Sequence, residues 1–436
     1  MPASWSINLE WETLDSGPPE EKACFAAIGI QAHGLWLTEG VDSLANSVRK
    51  APRLSAYLLS EWMAWNWWRL RWEPRSTTVR DWVSSHRMAT IGSGYIWPNI
   101  TIFSDGERVA LIAKPTEERL QTPFRYIADI AVVLLASEFE AGTDAFIGQV
   151  LERLDSERVA ATNLQTIWQE LLTERRTPKL ARERKLEALL GQEPGEADPD
   201  ALKQLIADSD SLGSESVDEI AADHSPGATV TTAQELRNIA EANGYDTNPR
   251  DIVRLARGSG LPRLGQVPAW RLGATAAKTL REQERLNGQP ISDERLAALA
   301  GTQKIALTNR ESGGNISFAL DQNPMHGRMV LRSKWGTGRR FELARILGDR
   351  IARQQSSRLF PATRAYTYRQ KMQRSFAAEL LSPFDVVDEM LNGDYSLENQ
   401  QEVADHFNVS PMTIRTSLVN HKRIEREGFD FDITAT

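Results

Sequence analysis

The sequence predicts a multidomain α+β protein, and three observations support this fold class. Its 436 residues are enough for two to four domains. Residues 1–155 mix strand-like alternation with helix-like spacing, whereas helix-like spacing dominates from residue 156 onward. Residues 191–223 contain ten acidic residues and one Lys, a shift in composition that is typical of an exposed linker. We therefore expect a mixed α/β N-terminal domain, a helical middle and a mostly helical C-terminal domain.

The composition narrows the class of protein. A hydrophobic fraction of 41% and a charged fraction of 25% are ordinary for a globular protein. No apolar run approaches the roughly 20 residues of a membrane span, and the first residues lack the basic and apolar regions of a signal peptide. Cys24 is the only cysteine, which excludes an intrachain disulfide and fits a reducing compartment. These features predict a cytoplasmic protein without a membrane partner.

The first domain, residues 1–155, has recognisable elements. Alternating apolar residues predict a strand within 25–37, and three- and four-residue spacing of Leu and Trp predicts a helix over 54–72. Asp105-Gly106 favours a tight turn between strands at 100–103 and 109–113. Apolar spacing then predicts helices over 126–139 and 143–154.

Seven of the thirteen tryptophans lie between Trp62 and Trp97. At helical spacing such a cluster is typical of a core. The alternative is a surface that stacks on bases or on a partner, and the neighbouring Arg69, Arg71 and Arg75 keep that alternative open.

The middle of the chain divides into two further regions. Residues 156–225 are predicted to be a helical arm followed by the acidic linker, with a short helix at 200–206. The alternative is that this acidic segment folds over a basic part of the chain. Residues 226–310 are predicted to be helical and helix-turn-helix-like, with a capping box at Thr232–Glu235 and helices at 250–257, 273–286 and 292–300.

Charge is strongly segregated. Residues 327–376 contain thirteen Lys and Arg against two acidic residues, a net charge of +11 in a chain whose net charge is −8. Such a stretch predicts an anionic partner such as DNA or another nucleic acid, although acidic parts of the same chain could neutralise it instead. The candidate nucleic-acid contacts here are Arg339, Arg340, Arg345, Arg364, Arg369, Lys371 and Arg374.

Two motifs carry a family resemblance. Residues 339–349 read Arg-Arg-Phe-Glu-Leu-Ala-Arg-Ile-Leu-Gly-Asp, which resembles the active helix of the ImmA/IrrE metallo-endopeptidase family, Arg-Phe-x-Leu-Ala-His-Glu-Leu-Gly-His. Residues 369–383 resemble that family's second signature, Glu-x-x-Ala-Asn-x-Phe-Ala-x-x-Leu-Leu-x-Pro. The resemblance covers about 275–423. It implies a zincin-like fold for residues 311–423, followed by a tail at 424–436.

The resemblance also implies which chemistry has been lost. Arg345 and Asp349 stand where the family has its zinc-binding histidines, Ile346 where it has its catalytic glutamate, and Gln370 where it has its third zinc ligand. A guanidinium has no lone pair to offer a metal, so we expect no metal, no cofactor and no zinc-dependent catalysis. Arg345 and Asp349 are four residues apart and are predicted to form an ion pair that fills the vacated site.

A different active site remains an alternative. Glu342 and Glu379, together with the carboxylate of Asp349, could supply acid–base groups, but their spacing specifies no reaction.

The last segment of this domain predicts a helix-turn-helix over 401–420. Asn408 suits a left-handed turn, and Ser410-Pro411 suits the start of a helix. Ile414 and Leu418 should then pack inward. Thr413, Arg415 and Asn420 are candidate groove-reading side chains. In the family, however, such a helix pair is part of the domain's own fold.

The functional prediction combines these points. We expect a non-catalytic regulatory protein that binds DNA or a protein partner such as a toxin, a repressor or a subunit of a defence system. The resemblance implies a mobile-element, toxin–antitoxin or phage-defence context. The alternative is a divergent metallo-endopeptidase that cleaves a repressor or an antitoxin.

Overall fold

The computed structural model describes residues 4–76, 81–117, 122–225, 228–256, 260–352 and 357–425. The chain is a mixed α/β protein, as predicted. It divides into two compact units: residues 1–198 with 225–227, and residues 199–224 with 228–436. Within the described ranges, no helix combines the length and the apolar character needed to cross a membrane.

In its described residues, the first unit contains three antiparallel sheets with helices packed against them. The sheets pair β1-β2-β3 with β6 beside β2, then β10-β8-β7, and β5-β4-β9. The strands are β1 (Trp5–Trp11), β2 (Phe25–Ala32), β3 (Leu35–Trp36), β4 (Gly40–Asp42), β5 (Ser47–Arg49), β6 (Arg53–Ser55), β7 (Asn99–Ser104), β8 (Arg108–Lys114), β9 (Phe124–Tyr126) and β10 (Ile130–Leu135). The helices are α1 (Pro19–Ala23), α2 (Ala56–Trp65), α3 (Trp67–Trp72), α4 (Trp82–His86), α5 (Ala136–Ser156), α6 (Asn163–Arg176) and α7 (Pro178–Leu189).

Two predictions for this unit need correction. The helix predicted over 126–139 is wrong, because residues 130–135 pair as a strand with β8 and the helix begins only at Ala136. A short run of β-branched and aliphatic residues fits either element, so the available strand partner decides. The predicted boundary at 155 falls inside the unit, because Leu164, Trp168 and Leu171 complete the same core.

The tryptophan cluster belongs largely to the core. Trp67, Trp68, Trp82 and Trp97 are buried, although Trp65 is exposed. The arginines beside the cluster bind internal carboxylates. Arg69 is 1% exposed and donates to Glu73, Asp81 and Glu193 at 2.6–2.8 Å. Arg71 donates to Glu140 and to the Gly106 carbonyl.

The described residues of the second unit form one four-stranded sheet, ordered β11-β13-β12-β14, together with eleven helices. Its strands are β11 (Tyr245–Thr247), β12 (Ser317–Asp321), β13 (Gly327–Val330) and β14 (Leu359–Ala362). Its helices are α8 (Pro199–Leu212), α9 (Ser214–Ala222), α10 (Ala233–Asn243), α11 (Ala269–Gln283), α12 (Asp293–Leu299), α13 (Ile305–Thr308), α14 (Gly336–Ala352), α15 (Tyr368–Leu381), α16 (Phe384–Leu391), α17 (Leu397–Phe407) and α18 (Pro411–Asn420).

Local sequence signals account for several of these boundaries. Thr232 and Glu235 form the predicted capping box of α10. Asn408 is left-handed between α17 and α18, and the Ser410 hydroxyl caps α18, so the predicted helix pair is confirmed. The helix predicted over 250–257 is wrong within its described part. There the chain runs beside the end of α12, with the Val253 amide donating to the Leu299 carbonyl.

The two motif helices, α14 and α15, form the centre of this unit together with α11. Gly273 lies where α11 crosses α15, and a Cβ built on it would lie 2.3 Å from the Met372 carbonyl oxygen. A Cβ built on Gly348 of α14 would lie 2.5 Å from Cδ1 of the Phe376 ring on α15. These glycines allow the three helices to approach closely, which places the side chains of α14 and α15 in direct contact.

Gly273→Ala is expected to lower the free energy of unfolding by about 1–3 kcal/mol, because the added methyl group overpacks the crossing. Chemical denaturation of the full chain measures this change. Gly336→Ala is the matched control, since a Cβ there meets nothing within 4 Å. Equal stability of the two variants would contradict the close crossing.

Candidate functional site

The structure places Arg345, Asp349 and Gln370, the positions at which the resemblance predicts former zinc ligands, in one buried cluster. Arg345 and Asp349 lie one turn apart on α14 and Gln370 lies on α15. The Arg345 Nη2 group donates to Gln370 Oε1 at 2.5 Å, and all three residues are buried. Arg345 and Gln370 are therefore in direct contact through a guanidinium–amide hydrogen bond.

The predicted ion pair between Arg345 and Asp349 is wrong. Asp349 instead accepts from Arg369 on the facing helix, with Nε–Oδ1 at 2.8 Å and Nη2–Oδ2 at 2.5 Å. This two-pronged geometry suits a guanidinium that approaches a carboxylate end-on from another helix. Arg345 turns to neutral acceptors, Gln370 and the Thr363 carbonyl oxygen.

The acidic segment is part of this site, so the predicted solvated linker is wrong. Residues 199–222 of this segment form α8 and α9, which belong to the second unit. Arg369 Nη1 donates to the Glu215 carbonyl at 3.0 Å and to Ser216 Oγ at 3.2 Å. Thr367 donates to Glu219 at 2.6 Å. The alternative, in which the acidic segment folds over the basic part of the chain, describes the structure.

Glu219 is the residue of this site that the sequence prediction missed. Burial raises its pKa from 4.5 to about 7, while the positive charge of Arg369 and the hydrogen bond from Thr367 oppose the shift. A signal for this contact exists in the sequence. Val217, Ile220 and Ala221 share one face of α9 and are buried, which is the spacing of an amphipathic helix.

Glu219 is expected to make the second unit less stable as pH rises. Because its folded pKa is raised, the contribution to stability is full below about pH 4.5 and is lost as pH passes through about 7. Glu219→Gln has no such charge to bury, so its stability relative to wild type should increase between about pH 5 and about pH 8. Urea denaturation at both pH values measures this difference.

The control for that experiment is Glu402→Gln, which changes an exposed carboxylate of the same unit. A Glu219→Gln profile that parallels the profiles of wild type and of this control would contradict the burial of a titrating carboxyl group.

The four most buried nucleic-acid candidates make internal contacts. Arg339, Arg340, Arg345 and Arg369 are each less than about a tenth exposed. Arg339 donates to the carbonyl oxygens of Ala306, Glu311 and Ser333. Arg340 donates to the Asp293 carboxylate and to the carbonyl oxygens of Ile291 and Asn408. These guanidinium groups are not presented at the surface, where the backbone of a duplex would lie, so the described structure does not favour them as contacts for a nucleic acid.

The remaining candidates are more accessible. Arg364 is exposed, whereas Lys371 and Arg374 are half-buried. Arg374 donates to the carbonyl oxygens of Arg364 and Ala365, both at 2.9 Å.

The helix-turn-helix side chains divide similarly. Arg415 and Asn420 are half-buried, but Thr413 is buried and its hydroxyl is hydrogen-bonded to Ser410. Ile414 and Leu418 pack inward as predicted. The contact of Arg340 with the Asn408 carbonyl ties this helix pair to α14.

The charge around the helix pair is negative. Residues 384–420 contain one cation, Arg415, and seven acidic residues: Asp385, Asp388, Glu389, Asp394, Glu398, Glu402 and Asp405. This distribution is the opposite of what a DNA-binding face needs, because the duplex itself carries a dense negative charge.

The donors of the cluster do not fit a resident zinc ion. Arg345 supplies a guanidinium and Gln370 an amide, and the Asp349 carboxylate is bound by Arg369. Among the described residues, no group of three or more His, Cys, Asp or Glu is arranged to hold a metal.

The three carboxylates of the alternative active site are held by different structural contacts. Glu342 accepts from the Ser333 amide, Glu379 from the Phe384 amide, and Asp349 from Arg369. Nothing in these contacts assembles them into an acid–base pair.

The chain was compared with known protein families, proteins and structures. Comparisons with family models, with curated proteins and with solved structures find no match to this chain.

Proposed function

We propose that the protein is a non-catalytic regulator that binds a protein partner through its second unit. The observation that carries this proposal is the filled site between α14 and α15. There the Arg369–Asp349 ion pair and the Arg345–Gln370 hydrogen bond occupy all three positions of the lost zinc ligands. In this proposal the region is a degenerate ImmA/IrrE-like domain, and the partner is a toxin, a repressor or a subunit of a defence system.

A protein partner is favoured over DNA by the placement of charge. Most of a nucleic-acid-binding protein's affinity comes from cations that reach phosphates. The four arginines that α14 and α15 contribute to the candidate contacts are buried. Two further cations of the basic stretch, Arg328 and Arg350, pair with Asp246 and Asp321. The helix pair that would read a groove, residues 397–420, contains three acidic residues and one Arg, a charge balance that does not favour duplex binding.

Two measurements on the purified full chain test this proposal. Elemental analysis is expected to find no stoichiometric zinc, and a chelator is expected to leave the melting temperature unchanged. One zinc per chain, removable by chelator together with peptidase activity, would favour the divergent metallo-endopeptidase instead. Electrophoretic shifts with duplex DNA are expected to be absent at physiological salt. Tight binding that weakens steeply with salt would restore the DNA hypothesis.

The partner itself is best sought among the products of neighbouring genes. Co-expression and purification should yield a complex of fixed stoichiometry that survives nuclease treatment. A complex that dissociates on nuclease treatment would mean that nucleic acid bridges its members.

A further inference from the structure

The Arg345 guanidinium is buried without a close countercharge. Its side chain is 7% exposed, and within the described part of the chain no carboxylate lies within 4.0 Å of it. Its two hydrogen bonds go to neutral oxygens, at 2.6 Å to Thr363 and 2.5 Å to Gln370. Its Nε–H is buried and has no hydrogen-bond partner in the described structure. A buried charge left in this state is costly, and such groups concentrate at functional sites.

A second guanidinium meets Arg345 at the same main-chain oxygen. Arg374 Nη2 lies 3.4 Å from the Thr363 carbonyl oxygen and also donates to the carbonyls of Arg364 and Ala365. Two like charges are therefore gathered around residues 363–365. Burial, followed by the positive charge of Arg374, lowers the pKa of Arg345 to about 9. An anion placed beside both groups would relieve the desolvation cost and the repulsion together.

A carboxylate already lies at the edge of this site. Asp223, at the end of α9, accepts from the main-chain N–H of Arg364 at 2.7 Å. Its side chain is only partly exposed. Burial raises its pKa, whereas the positive charges of Arg364, Arg345 and Arg374 oppose that shift. The acidic segment thus brings one internal carboxylate next to two guanidinium groups.

We propose that Arg345 and Arg374, with the main-chain N–H of Arg364, form a binding site for an oxyanion, and that Asp223 competes with the ligand. Both guanidinium groups match the planar oxygens of a carboxylate and the tetrahedral oxygens of a phosphate. The ligand is therefore a carboxylate or phosphate group, carried either by an acidic side chain of a partner or by a free small molecule. The site does not depend on the identity of the protein partner of the regulatory function.

The test uses the full chain and two simple probes. Inorganic phosphate and glutarate are titrated by calorimetry at constant ionic strength, with chloride as the background anion. Wild-type protein should bind at one site, and Asp223→Asn should bind severalfold more tightly because the internal competitor is neutral. Arg374→Met should weaken binding by at least about tenfold, as expected when a charge-assisted hydrogen bond is lost.

The matched control is Lys334→Met, which removes an exposed cation from the same basic stretch and should leave the affinity unchanged. Preference for phosphate identifies a free phosphorylated ligand, and preference for glutarate identifies an acidic side chain. Equal affinities of Arg374→Met and Lys334→Met would overturn the site. So would failure of both wild type and Asp223→Asn to bind either probe.

Folding is checked for each variant by circular dichroism. If Arg374→Met does not fold, the comparison of Asp223→Asn with wild type decides alone: tighter binding supports the site, and unchanged or absent binding refutes it. Because no partner protein enters the experiment, failure of this site and failure of the proposed regulatory function give different results.

Discussion

Arg369→Met is expected to lower the free energy of unfolding of the second unit by about 3–5 kcal/mol, the usual cost of removing one member of a buried ion pair. The variant leaves the fully buried Asp349 carboxylate without the guanidinium that donates to both of its oxygens. It also removes the positive charge that counters the burial of Glu219. Chemical denaturation of the full chain, monitored by circular dichroism, measures the loss.

Two comparisons make this result specific. Arg423→Met breaks an ion pair with Asp388 in which Arg423 is about half exposed, and it should cost much less than Arg369→Met because solvent screens the pair. The double variant Arg369→Met with Asp349→Leu should recover most of the loss, because it removes both buried charges. If Arg369→Met and Arg423→Met were equally mild, the buried pair would not be a structural anchor.

Arg69→Met is expected to lower the stability of the first unit by a similar amount, about 3–5 kcal/mol. Arg69 binds three carboxylates, and one of them, Glu73, is also buried and hydrogen-bonded to His86 at 2.9 Å. Because Trp82 stacks on His86 of this network, tryptophan fluorescence during denaturation provides the measurement.

The exposed Arg87 is the control position for the first unit. Arg87→Met should leave stability nearly unchanged. The stability of Arg69→Lys should lie between those of Arg69→Met and wild type, because a lysine keeps the positive charge but loses the planar guanidinium that binds several carboxylates at once. A neutral Arg69→Met would instead favour the surface role that the sequence left open for the arginines beside the tryptophans.

Local chemistry made part of the fold predictable. The Asp-Gly turn between β7 and β8, the capping box of α10, and the Asn408–Ser410 junction of the helix pair each depend on residues that are close together in the sequence. Such signals act through backbone conformation and nearby hydrogen bonds, so the order of residues is enough to find them.

The site was predictable only in its positions. The motif spacing predicted Arg345, Asp349 and Gln370 as one site, and Arg345 and Gln370 are in contact, but the spacing did not show which charge would pair with which. Arg369 reaches Asp349 across 20 positions, and Ser216 of the acidic segment reaches Arg369 across 153. Composition cannot distinguish a buried cation from an exposed one. Arg339 and Arg340 contribute to the net charge of residues 327–376, but both side chains are buried.

The packing of α8 and α9 within the second unit has a consequence for how this chain can be divided. The acidic composition ends near residue 224, so composition alone suggests a domain boundary there. Residues 199–224 nevertheless belong to the same compact unit as residues 228–436. A polypeptide beginning at 226 would lose Glu219, Ser216 and Asp223, and Arg369 would lose one side of its surroundings. A fragment, or a domain transferred by gene fusion, therefore has to begin near residue 199 to contain this site.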